Sequence, residues 1–155
     1  MGPCLWTSAP SLEPAKPEIP KWRTKLNPAT GQVYQSKEEY DRVPLRDDQT
    51  CTNSRLDELE KAKDVLEAVI PPFDPKTPRS RNLKKMAVVP CSRLRQRLKA
   101  QEVLLAKRRE IQKECFGGNP DKGHANAIRE LETAIENTRA LETVNCAPGH
   151  PMAGL

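Results

Sequence analysis

Aromatic residues are scarce in this chain, whose 155 residues include two Trp, two Tyr and two Phe. With 36% hydrophobic residues overall, the chain can bury only a thin core, such as that of a small helix bundle. No apolar run approaches the roughly 20 residues of a membrane span. The opening residues MGPCLWTSAP lack a basic region followed by an apolar segment, so we identify no signal peptide there. Three expectations remain open: an intracellular protein, export by another route, or excision from a longer polypeptide.

Common catalytic and metal-binding motifs are also missing. The sequence contains no GxxxxGK[ST], HExxH, GxSxG or zinc-deaminase pattern, and none of its five cysteines forms a CxxC pair. These absences argue against phosphate-loop nucleotide hydrolysis, metalloprotease and serine-hydrolase activity, and zinc-ribbon or thioredoxin folds. We predict no cofactor and no metal. A metal site would need His124 and Asp121 together with Asp47 or Asp48.

Proline, in contrast, is abundant, and its fifteen copies cluster outside the helical stretches. They divide the chain into an extended Pro-rich arm (1–35), a helical domain (36–150) and a tail (151–155). Within the domain, residues 71–90 form a basic Pro-rich linker.

Helical periodicity predicts three long helices, at about 52–70, 92–115 and 124–146. Ser36 and Glu39 match a capping box that starts a short helix ending near Arg42, and Ser92 is the predicted cap of the second long helix. The apolar positions that repeat at helical spacing are Leu56, Leu59, Leu66, Ile70, Leu94, Leu98, Leu105, Ile111, Ile128, Leu131, Ile135 and Leu141. The predicted fold is all-α, a three-helix antiparallel bundle.

Positive charge is concentrated in the middle of the chain, although the whole carries only +5. Residues 76–113 hold 13 Lys or Arg and two Glu, a net +11, between two acidic stretches. One interpretation is that the helices neutralise one another through weak surface ion pairs. The other is that the cations bind nucleic-acid phosphates. The residues that favour phosphate binding are Arg79, Arg81, Lys84 and Lys85.

Four cysteines lie at predicted helix ends. Residues 92–115 and 124–146 each span roughly 35 Å as helices. An antiparallel hairpin therefore brings Cys146 level with Cys91, and a first helix packed antiparallel to the second brings Cys51 level with Cys115. We predict disulfides Cys51–Cys115 and Cys91–Cys146, with Cys4 unpaired, and hence an oxidising place of action. The alternative is buried free thiols in a cytosolic protein.

The stretch ECFGGNPDKGHAN, residues 114–126, is either a tight loop between helices or a site. Its glycines and proline suit a helix connection. As a site, it would use His124 as a general acid or base beside a helix N-terminus that holds a phosphate, assisted by Asp121, Lys122 and Asn126. The second histidine, His150, falls at the far end of the predicted bundle, which disfavours a two-histidine mechanism.

The motif Cys115-Phe116-Gly117-Gly118 shortly before His124, with cysteines opening the preceding helix and closing the following one, resembles a known pattern. It is similar to the cysteine-rich all-helical "novel toxin" domains at the C-termini of bacterial polymorphic toxins, some of them attached to PAAR-like tips of type VI secretion systems. The segment NPATGQVYQSKEEYDR resembles the lead-in to such domains, and the resemblance covers about residues 22–150.

The resemblance implies a secreted antibacterial effector domain with a cognate immunity protein, delivered by PAAR/VgrG-like machinery within a larger polypeptide. Such export needs no signal peptide, permits disulfides, and leads to action in a target cell, including its periplasm. Nuclease activity is the presumed chemistry, with nucleic acid as substrate. The alternative expectation is a non-enzymatic, disulfide-stabilised helical interaction module.

Overall fold

A computed structural model describes residues 19–71, 88–117 and 122–155. Throughout these ranges the regular secondary structure is helical, and the predicted all-α class is confirmed. The elements are a 3-10 turn (Lys21–Arg23) and helices α1 (Lys37–Arg42), α2 (Asn53–Ala68), α3 (Cys91–Cys115) and α4 (Lys122–Asn145).

None of the described helices combines the length and apolar character needed to cross a membrane.

Helices α1 and α2 both begin at side-chain caps, and the cap of α1 at Ser36 is the predicted one. The Ser36 hydroxyl accepts a hydrogen bond from the Glu39 amide at 3.1 Å, while the Glu39 carboxylate accepts one from the Gln35 amide at 2.6 Å. Thr52 caps α2 in the same way, accepting from the Arg55 amide at 3.2 Å. Both contacts are local, because the cap satisfies amide groups that the first helical turn leaves without a partner.

The start of α3 differs from prediction. Ser92 is not its cap, because the helix already begins at Cys91, and the N-cap residue Pro90 forms no side-chain cap hydrogen bond. Main-chain oxygens after α4 replace the cap: Cys91 N–H donates to Met152 O at 3.1 Å, and Ser92 N–H to Leu155 O at 2.9 Å. Residues distant in sequence therefore satisfy the first two amide groups of α3.

The corner between α1 and α2 is organised by the buried side chain of Asn53. Its amide nitrogen donates to the carbonyl oxygens of Tyr40 and Val43, at 2.5 and 2.9 Å. Its amide oxygen accepts from the Leu45 amide at 3.1 Å and from Gln49 Nε2 at 2.8 Å. The Asn53 side chain thus makes the hydrogen bonds that water would otherwise make to the backbone that joins the two helices.

Residues 19–35 are the described part of the predicted arm. Within them the chain doubles back, and Leu26 and Val33 form an isolated antiparallel bridge. Tyr34 points inward and is buried, and its hydroxyl donates to Val43 O at 2.7 Å. Because side chains alternate across an extended segment, Val33 faces the other way and is exposed. The predicted domain boundary at residue 35 stays a prediction.

The core lies where α3 packs against both α2 and α4. Most of the predicted apolar positions contribute to it, some fully buried and others, such as Leu66 and Leu98, half-buried. The predicted positions that are fully buried are Leu56, Leu59, Leu94, Ile111, Ile128 and Ile135. Polar side chains interrupt this core at positions that hydrophobic periodicity does not reveal, namely Asn53, Gln101, Thr138 and Asn145.

Gln101 offers a test of this packing. It is 2% exposed, and its buried Oε1 has no hydrogen-bond partner among the described residues. A buried acceptor without a partner costs about 1–3 kcal/mol. We therefore expect Gln101→Met, which keeps a similar shape, to raise the free energy of unfolding by about 1 kcal/mol in urea titration. The exposed Gln96→Met is the matched control, and a destabilised Gln101→Met would contradict this prediction.

Candidate functional site

The candidate site lies where the segment before α2 meets the end of α3. Cys51 and Cys115 form a disulfide, as predicted, with their Cα atoms 4.4 Å apart. Beside it, Thr50 N–H donates to Cys115 O at 2.6 Å and the Thr50 hydroxyl donates to Glu114 O at 2.8 Å. The covalent bond and the two hydrogen bonds together hold this loop to the C-terminus of α3.

Phe116 follows the disulfide directly and is 3% exposed. It belongs to a small apolar cluster built from α2 and α3, against which Cys51 packs. The other members are Leu56, Leu59, Ile111 and Cys115. Gly117 then adopts a φ of 59°, a left-handed conformation that favours glycine and commonly ends a helix. The chain therefore leaves α3 with the Phe116 ring fixed in the core.

His124 and Arg46 both contact the Phe116 ring. The imidazole of His124, in the first turn of α4, has its centroid 4.8 Å from that of Phe116, with 35° between the ring planes. The guanidinium carbon of Arg46 lies 5.1 Å from the same ring centroid, within cation–π range. Arg46 also pairs with Asp48, Nε to Oδ1, at 3.3 Å. An imidazole and a guanidinium thus contact one buried ring, and the guanidinium is paired with a carboxylate.

The other predicted site residues lie as follows. Lys122 is the first residue of α4, and the Asn126 amide oxygen accepts a hydrogen bond from the Arg129 guanidinium one turn later. Asp121 lies outside the described residues. So does Cys4, and so do the four predicted phosphate-binding cations Arg79, Arg81, Lys84 and Lys85. Their proposed roles stay predictions.

The second histidine lies beyond the other end of α4. His150 Nδ1 accepts a hydrogen bond from the Met152 amide at 3.1 Å, in the segment that covers the start of α3. The part of α4 from His124 to its end at Asn145 separates the two histidines by about 32 Å of helix. This placement agrees with the prediction that they do not act together within one chain.

The described residues contain no group of three His, Cys, Asp or Glu side chains that could hold a metal ion. The two groups that contact the Phe116 ring suit a proton transfer and the binding of an anion, because an imidazole can accept or donate a proton and a guanidinium binds phosphate and carboxylate oxygens. Sequence reasoning selected His124 but missed Arg46 and Phe116. The only sequence signal for Arg46 is its position shortly before Cys51, the predicted partner of Cys115.

No family model, curated protein or solved structure matches the chain.

Ion pairs connect the basic helix α3 to both of its neighbours. Towards α4, Arg139 meets Glu102 at 2.7 Å and Arg109 meets Glu132 at 3.3 Å. These four residues also line a shallow groove of about 370 Å³ between the two helices. The contacts support the interpretation that the charged helices partly neutralise one another.

A further ion pair joins α2 to α3 beside the candidate site. Arg55 Nε lies 2.7 Å from Glu114 Oε1, and Arg55 Nη2 lies 3.2 Å from Oε2. The hydrogen bond and charge of Arg55 lower the pKa of Glu114 below its usual value. Because the folded pKa is the lower one, this group stabilises the fold above its unfolded pKa, and the contribution is lost as the pH falls through the folded pKa.

We expect Arg55→Met to return the pKa of Glu114 towards its ordinary value, measured by carbon-13 NMR titration of the Glu114 carboxyl group. The matched control is Arg109→Met, which removes a guanidinium paired with Glu132 and should leave the Glu114 titration unchanged. If the Glu114 pKa were the same in Arg55→Met and in the parent chain, the hydrogen-bonded pair would not be its cause.

Proposed function

We propose that this chain is a disulfide-stabilised effector domain, an antibacterial toxin exported from the cell that makes it. The proposed core arrangement is an antiparallel three-helix bundle. In support, one disulfide joins the residue before Thr52, the cap of α2, to the end of α3, and the other joins the start of α3 to the residue after α4. A bridge from the start of one helix to the end of the next supports an antiparallel arrangement of those two helices.

The two disulfides also support the proposed place of action. Cys91 and Cys146 pair with their Cα atoms 5.0 Å apart, so both predicted bridges are present. Disulfides persist in oxidising compartments and are rare in the cytosol, which makes the fold compatible with a secreted protein. The proposed partners are a cognate immunity protein and PAAR/VgrG-like secretion machinery.

The single observation that carries a chemical role is that His124 and Arg46 share the Phe116 ring. In the proposed reaction, cleavage of a nucleic-acid phosphodiester, His124 removes the proton of the attacking hydroxyl group or water as its oxygen bonds to phosphorus. The P–O bond to the leaving sugar oxygen breaks, and that oxygen takes a proton from water. Arg46 offsets negative charge on the phosphate, and the first amide groups of α4 lie next to His124. The buried ring and the Cys51–Cys115 bridge keep the imidazole in place, as a preorganised site requires.

The test is induction of the chain in bacteria, with and without export to the periplasm. We expect killing by the parent chain and loss of about 10²–10⁴-fold in cleavage rate for purified His124→Ala acting on RNA or DNA, with and without divalent metal. His150→Ala is the matched control, because it removes the other histidine from the far end of α4. Full killing by a folded, normally expressed His124→Ala variant would contradict the proposed chemistry.

Arg46→Gln tests the phosphate-binding role of Arg46 separately from the proton transfer by His124. This variant removes the guanidinium from an exposed ion pair and leaves the buried Phe116 in place. If Arg46 binds the phosphate, the variant loses activity while the thermal midpoint stays within a few degrees of the parent value.

A second candidate function, a non-enzymatic interaction module, is favoured by a different observation. Residues 19–22, α1 and α2 border an open groove of about 840 Å³ whose exposed lining is mostly apolar, away from the Phe116 ring. Absence of killing in both compartments, together with binding at this groove, would select this alternative.

A further inference from the structure

The Cys51–Cys115 bridge lies between two parts of the candidate site. Arg46 precedes Cys51 by five residues in the loop between α1 and α2, and Phe116 follows Cys115 directly. The guanidinium carbon of Arg46 lies 5.1 Å from the centroid of the Phe116 ring, so this contact crosses from the loop to the end of α3. The bridge therefore ties the loop that carries the cation to the helix end that carries the ring.

Hydrogen bonds attach the same loop to α2 through buried groups and to α3 through an exposed one. Gln49 is 7% exposed, and its Nε2 donates to Cys51 O and to Asn53 Oδ1, both at 2.8 Å. Towards α3, the amide and the hydroxyl of Thr50 donate to main-chain oxygens, but Thr50 is exposed and water competes for these groups. Without the bridge, the loop therefore stays with α2 and separates from α3 more readily.

Reduction of the bridge by a dithiol is a balanced exchange. One thiolate of the reductant attacks Cys51 Sγ, because Cys51 is half-buried whereas Cys115 is 0% exposed. The S–S bond breaks, and Cys115 leaves as a thiolate that takes a proton. The second thiol of the reductant then displaces Cys51 from the mixed disulfide. The reductant ends as a disulfide, and two electrons and two protons have passed to the protein.

From this arrangement we propose that the Cys51–Cys115 bridge is a redox switch for the candidate site. The oxidised chain holds Arg46 on the Phe116 ring, which also contacts His124, and the reduced chain releases Arg46. A chain in a reducing cytosol then lacks the assembled site, whereas a chain in an oxidising compartment has it. The expected effect on cleavage rests on the proposed function, but the expected effect on the ring contact does not.

The Cys91–Cys146 bridge serves as an internal control, because it lies at the opposite end of α3. That helix runs for 25 residues from Cys91 to Cys115, which is about 36 Å. Loss of the distant bridge should therefore leave Arg46 on the Phe116 ring.

The first experiment compares two double variants of the full chain by NMR. We expect the nuclear Overhauser contacts between the Arg46 side chain and the Phe116 ring to disappear in Cys51→Ala, Cys115→Ala. The same contacts should persist in Cys91→Ala, Cys146→Ala. Circular dichroism should show the helix content of the parent chain in both variants.

The second experiment uses the parent chain and changes only the redox state. Dithiothreitol is added in steps, and alkylation with peptide mapping reports each bridge separately. We expect the Arg46 contacts to be lost in step with the Cys51–Cys115 bridge and to return after reoxidation with oxidised glutathione. Cleavage of RNA or DNA, measured on the same samples, should fall by about 10²-fold on reduction, as expected for a misplaced catalytic group. The oxidised Cys91→Ala, Cys146→Ala variant should cleave as the parent does.

Contrary outcomes overturn the inference. Arg46 contacts that persist in the Cys51→Ala, Cys115→Ala variant would show that the bridge does not hold them. Loss of helix content in that variant, or equal loss of the contacts in both variants, would show a general loosening of the fold. A Cys51–Cys115 bridge that resists excess dithiothreitol in the folded chain would show that no reductant reaches it. If the oxidised parent chain cleaves no nucleic acid, the proposed function fails, and the NMR comparison still decides this inference.

Discussion

Replacing Cys51 and Cys115 together with alanine is expected to lower the free energy of unfolding by about 4 kcal/mol or more. The bridge joins residues 64 apart in sequence, and closing a loop of that length removes about 4 kcal/mol of chain entropy from the unfolded state. The pair also belongs to the apolar cluster around Phe116, so that its loss removes buried contacts as well. For a chain of this size the thermal midpoint should fall by about 10–20 °C.

The Cys91→Ala, Cys146→Ala double variant is the matched comparison. Its bridge joins residues 55 apart, so the entropic loss is nearly the same. Because Cys51 and Cys115 also pack in the apolar cluster around Phe116, we expect the variant that lacks them to be the less stable of the two in urea titration. A loss below about 1 kcal/mol in both variants would show that the helices hold together without their covalent links.

Asn53→Ala is expected to produce the second large effect, a loss of about 3–5 kcal/mol. The substitution leaves the carbonyl oxygens of Tyr40 and Val43, and the amide of Leu45, without the partner described above, in a site that is 1% exposed. Buried backbone groups without hydrogen bonds are costly because water cannot replace the lost partner.

Urea titration of Asn53→Ala against Asn126→Ala checks this expectation. Asn126 is exposed on α4 and contacts Arg129 on the surface, so its variant should remain within about 0.5 kcal/mol of the parent chain. Equal stability of the two variants would mean that the corner between α1 and α2 does not depend on Asn53.

Features governed by local rules were predictable from the sequence. The caps at Ser36 and Thr52 act on amide groups three residues away, and apolar spacing alone placed Leu94 and Ile111 in the core. The disulfides required only the rise per residue of a helix and the assumption that neighbouring helices alternate in direction.

Features that depend on distant residues could not be predicted. Ser92 was expected to cap α3, but the helix begins one residue earlier. The amides of Cys91 and Ser92 donate to main-chain oxygens of Met152 and Leu155, and no local sequence pattern indicates these contacts. Asn53 and Gln101 are polar in the sequence and buried in the fold. Arg46 joins the candidate site from a loop without periodicity, so only the folded chain shows that it shares the Phe116 ring with His124.

The order of the cysteines along the chain has a consequence for cleavage by proteases. The two bridges interleave, because Cys91 lies between Cys51 and Cys115 while Cys146 lies beyond them. A single cut anywhere between Cys51 and Cys146 therefore leaves both pieces joined by at least one disulfide. A cut within residues 71–90, the predicted linker, therefore releases no fragment. One such cut changes the connectivity of the backbone but leaves a single covalent molecule.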